Sequence, residues 1–531
     1  MLTLREIKEM YFMNENSTNS MNPTNLISGR LLAQNTLLNL VGQAVPLLFG
    51  VVTIPFIVRG LGTERFGLLS LAWVVLGYFA IFDLGMGRAT TKYVAEALGN
   101  GEEDQVPRLV WTAVTVQAIL GLLGAFVLAG ITPLLVEQVL NIPSTLIGEA
   151  KTTFYLLALS IPVVMVSSSF SGVLQARQRF DLVNAVRIPS SAFTFLLPLI
   201  GLLLGFRLPG IVALILLARF AALVAFVAIN LRITPQLKKY SGSFAFFPRL
   251  FTFGGWVTVS NVVGPILLYL DQFLIGTLLT MSAVAYYTAP FQLTTHLQII
   301  PGSLVMTLFP AFSVLGTTRK EDLQRLYVRS IKYLLLSTGP IVLILIIFAN
   351  DILWRWLGVD FAQQSTHVFQ ILLLGALIGL LAPVSGSLLQ GLGRPDILSK
   401  LYLIEMPLNI GLVWFLVQHW GIVGAALSFA LRALIETTLL FVLSSKFIHL
   451  AYISLVENGL CHSVSILVGF GVLLWVVSLM HVLYVQVSFV ALVILLFIAI
   501  AWHYVLDEID KITFISAMGK WLPFLGNYKK G

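Results

Sequence analysis

The sequence predicts an all-α polytopic membrane protein of about fourteen transmembrane helices: two six-helix lobes related by pseudo-two-fold symmetry, plus a C-terminal helix pair. Three observations predict it. The 531 residues are 58% hydrophobic and 11% charged, against about 25% charged in a soluble globular domain. Apolar runs long enough to span a bilayer, roughly 20 residues each, recur along the chain, whose mean hydropathy is +0.93. Short motifs recur at offsets near 215 residues. So few charges cannot clothe a chain of this length in water. An aqueous enzyme, a disordered chain and a nucleic-acid-binding protein are therefore excluded.

The elements follow in order. Residues 1–35 read as a solvated tail: Arg5, Glu6, Lys8 and Glu9 precede an Asn/Ser/Thr-rich stretch from Asn14 to Asn25 that has no packable face. No cleavable signal peptide is recognised. Hydropathy and breaker residues place spans 1 and 2 at 36–58 and 66–84, with Gly62 and Gly67 expected to permit the tight turn between them. Spans 3 and 4, at 109–132 and 152–175, flank a loop of residues 133–151. Spans 5 and 6, at 187–206 and 210–231, are parted by Arg207-Leu208-Pro209. A linker over 233–248, marked by Pro235, Lys238, Lys239, Gly242 and Pro248, leads to spans 7 and 8 at 251–278 and 284–312. The segment RKEDLQRLYVRSIK at 319–332 sets Leu323, Leu326 and Ile331 against five basic residues, the pattern of an interfacial helix on an anionic leaflet. Spans 9 to 12 fall at 331–354, 367–391, 400–418 and 421–444, the last two parted at His419-Trp420. Spans 13 and 14 fall at 460–480 and 485–506, and 507–531 is a second tail. Cys461 is the only cysteine, which rules out an intramolecular disulfide; in its apolar run it is expected to be a small buried side chain.

Charge orients these spans. With the first tail in the cytoplasm, 25 Lys and Arg lie on the inside and five, Arg59, Arg65, Lys151, Arg207 and Arg355, on the outside. That excess follows the positive-inside rule and puts both termini in the cytoplasm of a multi-pass membrane protein. The repeat then defines the lobes. LQARQRFDL at 174–182 answers LQGLGRPDI at 389–397, ALILLAR at 213–219 answers ALSFALR at 426–432, and NLVG at 39–42 answers NVVG at 261–264. An even number of spans separates the copies, so they share orientation and are expected to relate by a rotation about the membrane normal. The lobes are 26–232 and 247–446, with 459–506 appended.

Chemistry is sparse. No Walker A pattern, HExxH or GxSxG occurs and no His/Cys/Asp/Glu set has metal spacing, so neither a metal nor another cofactor is expected. The 133–151 loop is too short for a catalytic domain, and its lone Glu137 and Glu149 make no acid pair. Polar faces mark where a pathway could run. On span 1, Asn35, Asn39, Gly42, Pro46, Gly50 and Thr53 fall within an arc of ~80°, taken at 100° per residue. This stripe is expected to face the lobe interface opposite span 7, although small residues also serve close helix packing. On span 8, Thr288, Gln292, Thr295 and Ser303 share an arc with His296 at its border, and on span 7 Asn261, Gly264 and Asp271 share a face. His296 is either a proton relay or a hydrogen-bonded interior histidine.

Ionisable groups inside spans are costly and functional by default. Asp271, in mid-span 7, either binds a coupling cation or proton or forms a buried pair, with Arg219 and Arg432 as candidates. Arg432 and Glu436, four apart on span 12, can neutralise each other. Arg219 is the repeat partner of Arg432 and lacks an acid four residues on. Glu405, near the cytoplasmic end of span 11, is expected to reach the headgroups.

Residues 61–72, LGTERFGLLSLA, and 82–95, FDLGMGRATTKYVA, resemble the opening signature of bacterial polysaccharide-transport flippases. LDQFLIGTLLTMSAVAYYTAP at 270–290 resembles the start of their second lobe, and the turns at 174–179 and 389–394 look like theirs. The resemblance covers about 30–506. It implies membership of the polysaccharide-transport branch of the multidrug/oligosaccharidyl-lipid/polysaccharide exporters, with two six-helix bundles that alternate between inward- and outward-open states. The implied activity is translocation of polyprenyl-diphosphate-linked oligosaccharide for surface polysaccharide, without enzymatic chemistry. Other polysaccharide-assembly proteins would be its partners beside the lipid bilayer. Arg30, Arg88 and Lys92, near the inner mouth, could attract the diphosphate, or serve topology alone. A cation-coupled multidrug antiporter and a membrane glycosyltransferase or ligase are the alternatives.

Overall fold

The computed structural model describes residues 29–82, 86–243, 255–318, 320–450, 460–480, 482–505 and 511. The readings of the first tail up to residue 28, of linker residues 244–254 and of most of the second tail fall outside that set. The described chain is helical, and nine of its stretches are long and apolar enough to cross a membrane, the two arms of one long helix counting as a single stretch.

Helix α1 (Gly29–Phe82) carries spans 1 and 2, broken where Gly62 adopts φ 79°. Gly62 alone makes that turn. Gly67, read from sequence as part of it, is helical and buried in the second arm, where a Cβ would overlap the backbone carbonyl oxygen of Met281. Beyond residues 83–85, α2 (Met86–Gly99) buries Met86, Ala89, Val94 and Ala97. Helices α3 (Val106–Leu134), α4 (Ile147–Ala176), α5 (Phe180–Leu203) and α6 (Leu208–Ile233) complete the first set. Its tightest seams are α3 on α4, α1 on α5 and α4 on α6. At the α3–α4 crossing a Cβ on Gly121 would sit 2.6 Å from Pro162 Cα, close packing of the kind membrane helices use where no hydrophobic drive operates.

The second set comprises α7 (Gly255–Leu278), α8 (Met281–His296), α9 (Ile299–Thr318), α10 (Lys320–Ile347), α11 (Ala349–Leu357), α12 (Val359–Gly379), α13 (Ala382–Gly391) and α14 (Pro395–Phe447). Span 8 is thus two helices rather than one. The 319–332 segment differs from its reading too: α10 runs unbroken from Lys320 into the span, and Leu323, Tyr327, Val328 and Ile331 are buried within the protein rather than against lipid. The predicted span 9 instead ends at Ile347, and the short α11 follows. Spans 11 and 12 are the arms of α14, parted at Gly421 (φ 57°, ψ −137°). The appended pair, α15 (Leu460–Ser478) and α16 (Leu483–Tyr504), packs on α10 through α15. Lys332, fully buried on α10, donates to the Val505 carbonyl at the C-terminal end of α16 (3.3 Å), where a helix dipole favours a cation. Cys461 is exposed on the outward side of α15, not buried as read, because the buried face of this helix runs through Ser463, Leu467, Phe470 and Leu474.

Both sets and the appended pair present large apolar side chains outward, such as Phe126, Leu203, Leu408 and Leu495, as lipid requires. We call the end with the 177–179, 233–243 and 393–394 turns the tail end, and the end with Gly62, 135–146, 204–207, 279–280 and Gly421 the far end.

The sequence repeat is a repeat of structure at its strongest motif. Gln178 (φ 58°) and Gly393 (φ 77°) occupy equivalent left-handed positions. Arg179 N–H donates to Leu174 O and Arg394 N–H to Leu389 O, both at 2.9 Å. Arg179 then pairs with Asp181 at 2.9 Å and Arg394 with Asp396 at 3.0 Å. A left-handed backbone costs an L-residue about 1 kcal/mol or more. Gln178→Gly is therefore expected to stabilise the protein by roughly 0.5–1 kcal/mol, and Gly393→Ala to destabilise it by about 1 kcal/mol. Thermal unfolding in detergent checks both; equal shifts of the same sign would refute the equivalence.

Candidate functional site

The second set forms a half-open cavity of about 780 Å³ between α7, α8, α9, α12, α13 and α14. Small residues are part of its lining: Gly264 on α7, Gly379 on α12 and Gly386 on α13. No atom lies within 4 Å of where a Cβ on Gly264 would stand. Its polar groups are Thr294, Thr295, Gln298, Ser387, Gln390, Tyr402, Arg432 and Glu436, set among Leu267, Leu268, Val305, Phe309, Phe429 and Leu440. Gln298 reaches the cavity because the chain tightens between α8 and α9, where Leu297 N–H and Gln298 N–H bond carbonyls only three residues back. Pro301, which cannot serve the carbonyl four residues before it, is the sequence signal that could have located this break.

A buried polar layer surrounds the cavity wall. Arg432 Nη1 lies 3.2 Å from Glu436 Oε2, both side chains about 15% exposed. Tyr402 faces the Glu436 carboxylate from the other arm of α14. Below it Glu405 is buried at 6% exposure, and neither of its carboxylate oxygens has a hydrogen-bond partner among the described residues. The expectation that Glu405 reaches the headgroups is corrected: α14 starts at Pro395, so Glu405 sits about 15 Å along its axis. Leu398, Tyr402, Glu405 and Asn409 recur at helical spacing, which turns Glu405 inward. On α7, Asp271 is buried and accepts a 2.8 Å hydrogen bond from Tyr287 Oη, while Gln272 Oε1 accepts from Thr288 at 3.2 Å. The Arg432 charge acts on Asp271 and on Glu405, though its ion pair is with Glu436.

The other candidates divide. Arg219, in the first set, is not near Asp271. It borders a small cleft with Trp73, Ser160 and Leu216, and its buried Nε has no hydrogen-bond partner among the described residues. Gln292 and His296 are partly buried on α8; Thr295, not they, lines the cavity. Lys92 is exposed near the tail end, its ammonium 5.3 Å from the centre of the Tyr93 ring. The side chains of Arg30, Asn35, Asn39, Arg88 and Asn261 lie outside the described set. On the span 1 stripe, Gly50 stands against Phe195 of its own lobe and Thr53 is buried with its hydroxyl on Phe49 O, so this half of the stripe packs internally rather than facing the partner lobe.

Two multi-helix sets that meet through α1 on one side and α7 and α8 on the other, with a largely apolar cavity carrying a few polar groups in the second set, define a multi-pass helical membrane protein of the two-lobe transporter fold. Solved structures carry the same fold. The "inward-facing conformation of a multidrug resistance MATE family transporter of the MOP superfamily" matches with a TM-score of 0.66 at 15% identity over 77% of this chain and 94% of that one. A MOP superfamily transporter from Pyrococcus furiosus matches at 0.60, also 15% identical, over 79% and 95%. The chain belongs to the polysaccharide biosynthesis protein family, whose sequence model matches residues 32–315. A MatE family model matches residues 257–415. The "Putative O-antigen transporter" of Shigella flexneri is 28% identical over 409 residues, 77% of this chain and 96% of its own length. The "Probable low-salt glycan biosynthesis flippase Agl15" of Haloferax volcanii is 26% identical over 434 residues, 79% and 84% of the two chains.

Proposed function

We propose that this protein is a flippase that moves polyprenyl-diphosphate-linked oligosaccharide across the bacterial cytoplasmic membrane for surface polysaccharide assembly. The observation that carries the proposal is its family membership, joined to relatives named as an O-antigen transporter and a glycan biosynthesis flippase. The geometry supports it. Sugars and diphosphate cannot enter hydrocarbon unaided, and a cavity of about 780 Å³ with amide, hydroxyl and guanidinium groups offers them hydrogen bonds inside an apolar bundle. The units of movement in this reading are lobes 26–232 and 247–446 with linker 233–248, and the 459–506 pair rides on the second lobe. The tail end is cytoplasmic, as the basic residues clustered there indicate. Arg30, Arg88 and Lys92 stand at that mouth to attract the diphosphate, and other polysaccharide-assembly proteins receive the product.

Purified protein in liposomes, loaded with lipid-linked oligosaccharide in one leaflet, tests the reading: the sugar becomes accessible to a probe on the opposite side. Folded protein that leaves the lipid where it was placed refutes it. A MatE-like antiporter is the second reading, favoured by the MatE match over 257–415 and by the buried carboxylate of Glu405, whose oxygens have no hydrogen-bond partner among the described residues. Expulsion of a cationic dye without lipid translocation would select it. Asp271→Asn bears on coupling in either case. The amide keeps an acceptor for Tyr287 but cannot titrate. We expect translocation by this variant to respond to an imposed proton or sodium gradient within twofold of wild type. A folded but gradient-insensitive variant would place coupling at Asp271.

A further inference from the structure

The first lobe carries a charge that nothing described in it balances. Arg219 lies about 16 Å along α6 from its start at Leu208, too deep for its head to reach either headgroup layer. A guanidinium keeps its charge in a protein, and a charge in an apolar interior calls for a counter-charge. The Arg219 Nε is buried without a hydrogen-bond partner, and no acid pairs with it among the described residues. The cleft it borders lies between α1, α4 and α6, walled by side chains such as Leu69, Leu156 and Ile215. A second donor lines the same cleft in the same condition. Trp73 Nε1 is buried with no acceptor among the described residues, and an indole N–H can only donate. Ser160 gives its hydroxyl proton to Leu157 O at 2.7 Å and brings no charge. Two buried N–H groups and one positive charge thus line a space that offers them no anion.

The repeat shows which group is missing. ALILLAR at 213–219 answers ALSFALR at 426–432, so Arg219 corresponds to Arg432. Arg432 finds Glu436 one helical turn on, at 3.2 Å. The position that corresponds to Glu436 is Leu223, so the first lobe keeps the cation and has no carboxylate beside it. We propose that a small monovalent anion, chloride, occupies this cleft as the counter-ion of Arg219, held by the guanidinium and the Trp73 indole N–H. The size fits. About 10 Å³ is open to the centre of a water-sized sphere, room for one water or one halide ion and too little for a phosphate. Water could accept from both N–H groups but would leave the charge unbalanced. The leucine and isoleucine walls suit a weakly hydrated halide, whereas a multiply charged oxyanion would lose hydration that they do not replace. The site lies in the first lobe, apart from the second-lobe cavity, and does not depend on the cargo.

The test uses the full-length protein, purified in detergent, with radioactive chloride at equilibrium as the probe. Wild type is expected to bind chloride saturably at a single site, displaced by bromide but not by gluconate or phosphate. Crystals grown in bromide are expected to show an anomalous-scattering peak beside Trp73 and Arg219. Arg219→Gln keeps a hydrogen-bonding side chain without the charge and is expected to weaken binding by about tenfold or more. Trp73→Phe, which removes one neutral donor, is expected to weaken it about fivefold. Leu223→Glu supplies the carboxylate that the second lobe has, one turn from Arg219, and is expected to abolish chloride binding in a protein that stays monodisperse. That variant keeps the arginine and decides the matter if Arg219→Gln folds poorly. Arg355→Gln alters an exposed arginine 5.9 Å from the ring of the exposed Trp354 and should leave binding unchanged. Absence of saturable binding by wild type, or equal binding by folded Arg219→Gln or Leu223→Glu protein, would overturn the site. Displacement by phosphate as readily as by bromide would overturn the assignment to a halide.

Discussion

Arg432→Met is expected to cost about 3–5 kcal/mol of stability, the usual penalty for breaking a buried ion pair by removing one partner. The guanidinium is about 15% exposed and pairs with Glu436 one helical turn away. Its charge also acts on Glu405, whose oxygens have no hydrogen-bond partner among the described residues, and on Asp271. Without Arg432, two carboxylates on facing arms of α14 are left buried with no counter-charge. Removing Glu436 as well should reverse much of the loss, because an apolar pair of similar volume avoids the desolvation that both ions suffer. Arg432→Met with Glu436→Leu is therefore expected to unfold within about 1 °C of wild type in detergent, while the single variant unfolds about 3–5 °C lower. A single variant as stable as the parent would show that Arg432 bears no structural load.

Gly424→Ala is the second variant with a large expected effect. A Cβ at this position would overlap the Leu416 carbonyl oxygen on the other arm of α14. Backbone cannot swing aside as a flexible side chain can, and the surrounding Val413, Val417, Ala425 and Ala426 are fully buried. Overpacking of this kind costs about 1–3 kcal/mol and reaches the top of that range where backbone must move. The arms that would splay carry Tyr402, Glu405 and Asn409 on one side and Ser428, Arg432 and Glu436 on the other, so the cavity wall opens with them. The expected result is a sharp fall in monodisperse protein on size-exclusion chromatography. Gly411→Ala, on the same helix with open space at its Cβ, should purify normally. Equal yields from the two variants would refute the close crossing.

Legibility in the sequence followed the range of each interaction. The turns at 174–182 and 389–397 could be read because their function is local: a left-handed residue, an arginine and an aspartate two residues on determine one another within a few positions. Spans could be read because lipid imposes one rule on every outward side chain. The hydropathy run gives only the distance of Glu405 from its end, whereas the phase of Leu398, Tyr402 and Asn409 shows which way it faces. The meaning of Gly67 was beyond local reading altogether. Its partner, Met281, is more than two hundred residues away, and a glycine required by a turn looks the same in sequence as one required by a neighbour's backbone.

The sequence by itself determined that the chain is a helical membrane protein built on a repeat, since apolar content, basic-residue asymmetry and recurring turns are properties of composition and short spacing. The tertiary structure decided that α12 breaks after Gly379 and that the charged residues of α14 gather beside a cavity in one lobe. It also decided that Arg219 lies apart from Asp271 and that the lobes meet at the far end through bare backbone. Those outcomes depend on crossing angles and on which faces meet. In an apolar solvent that does not discriminate between leucines, small residues and buried polar pairs far apart in sequence settle them.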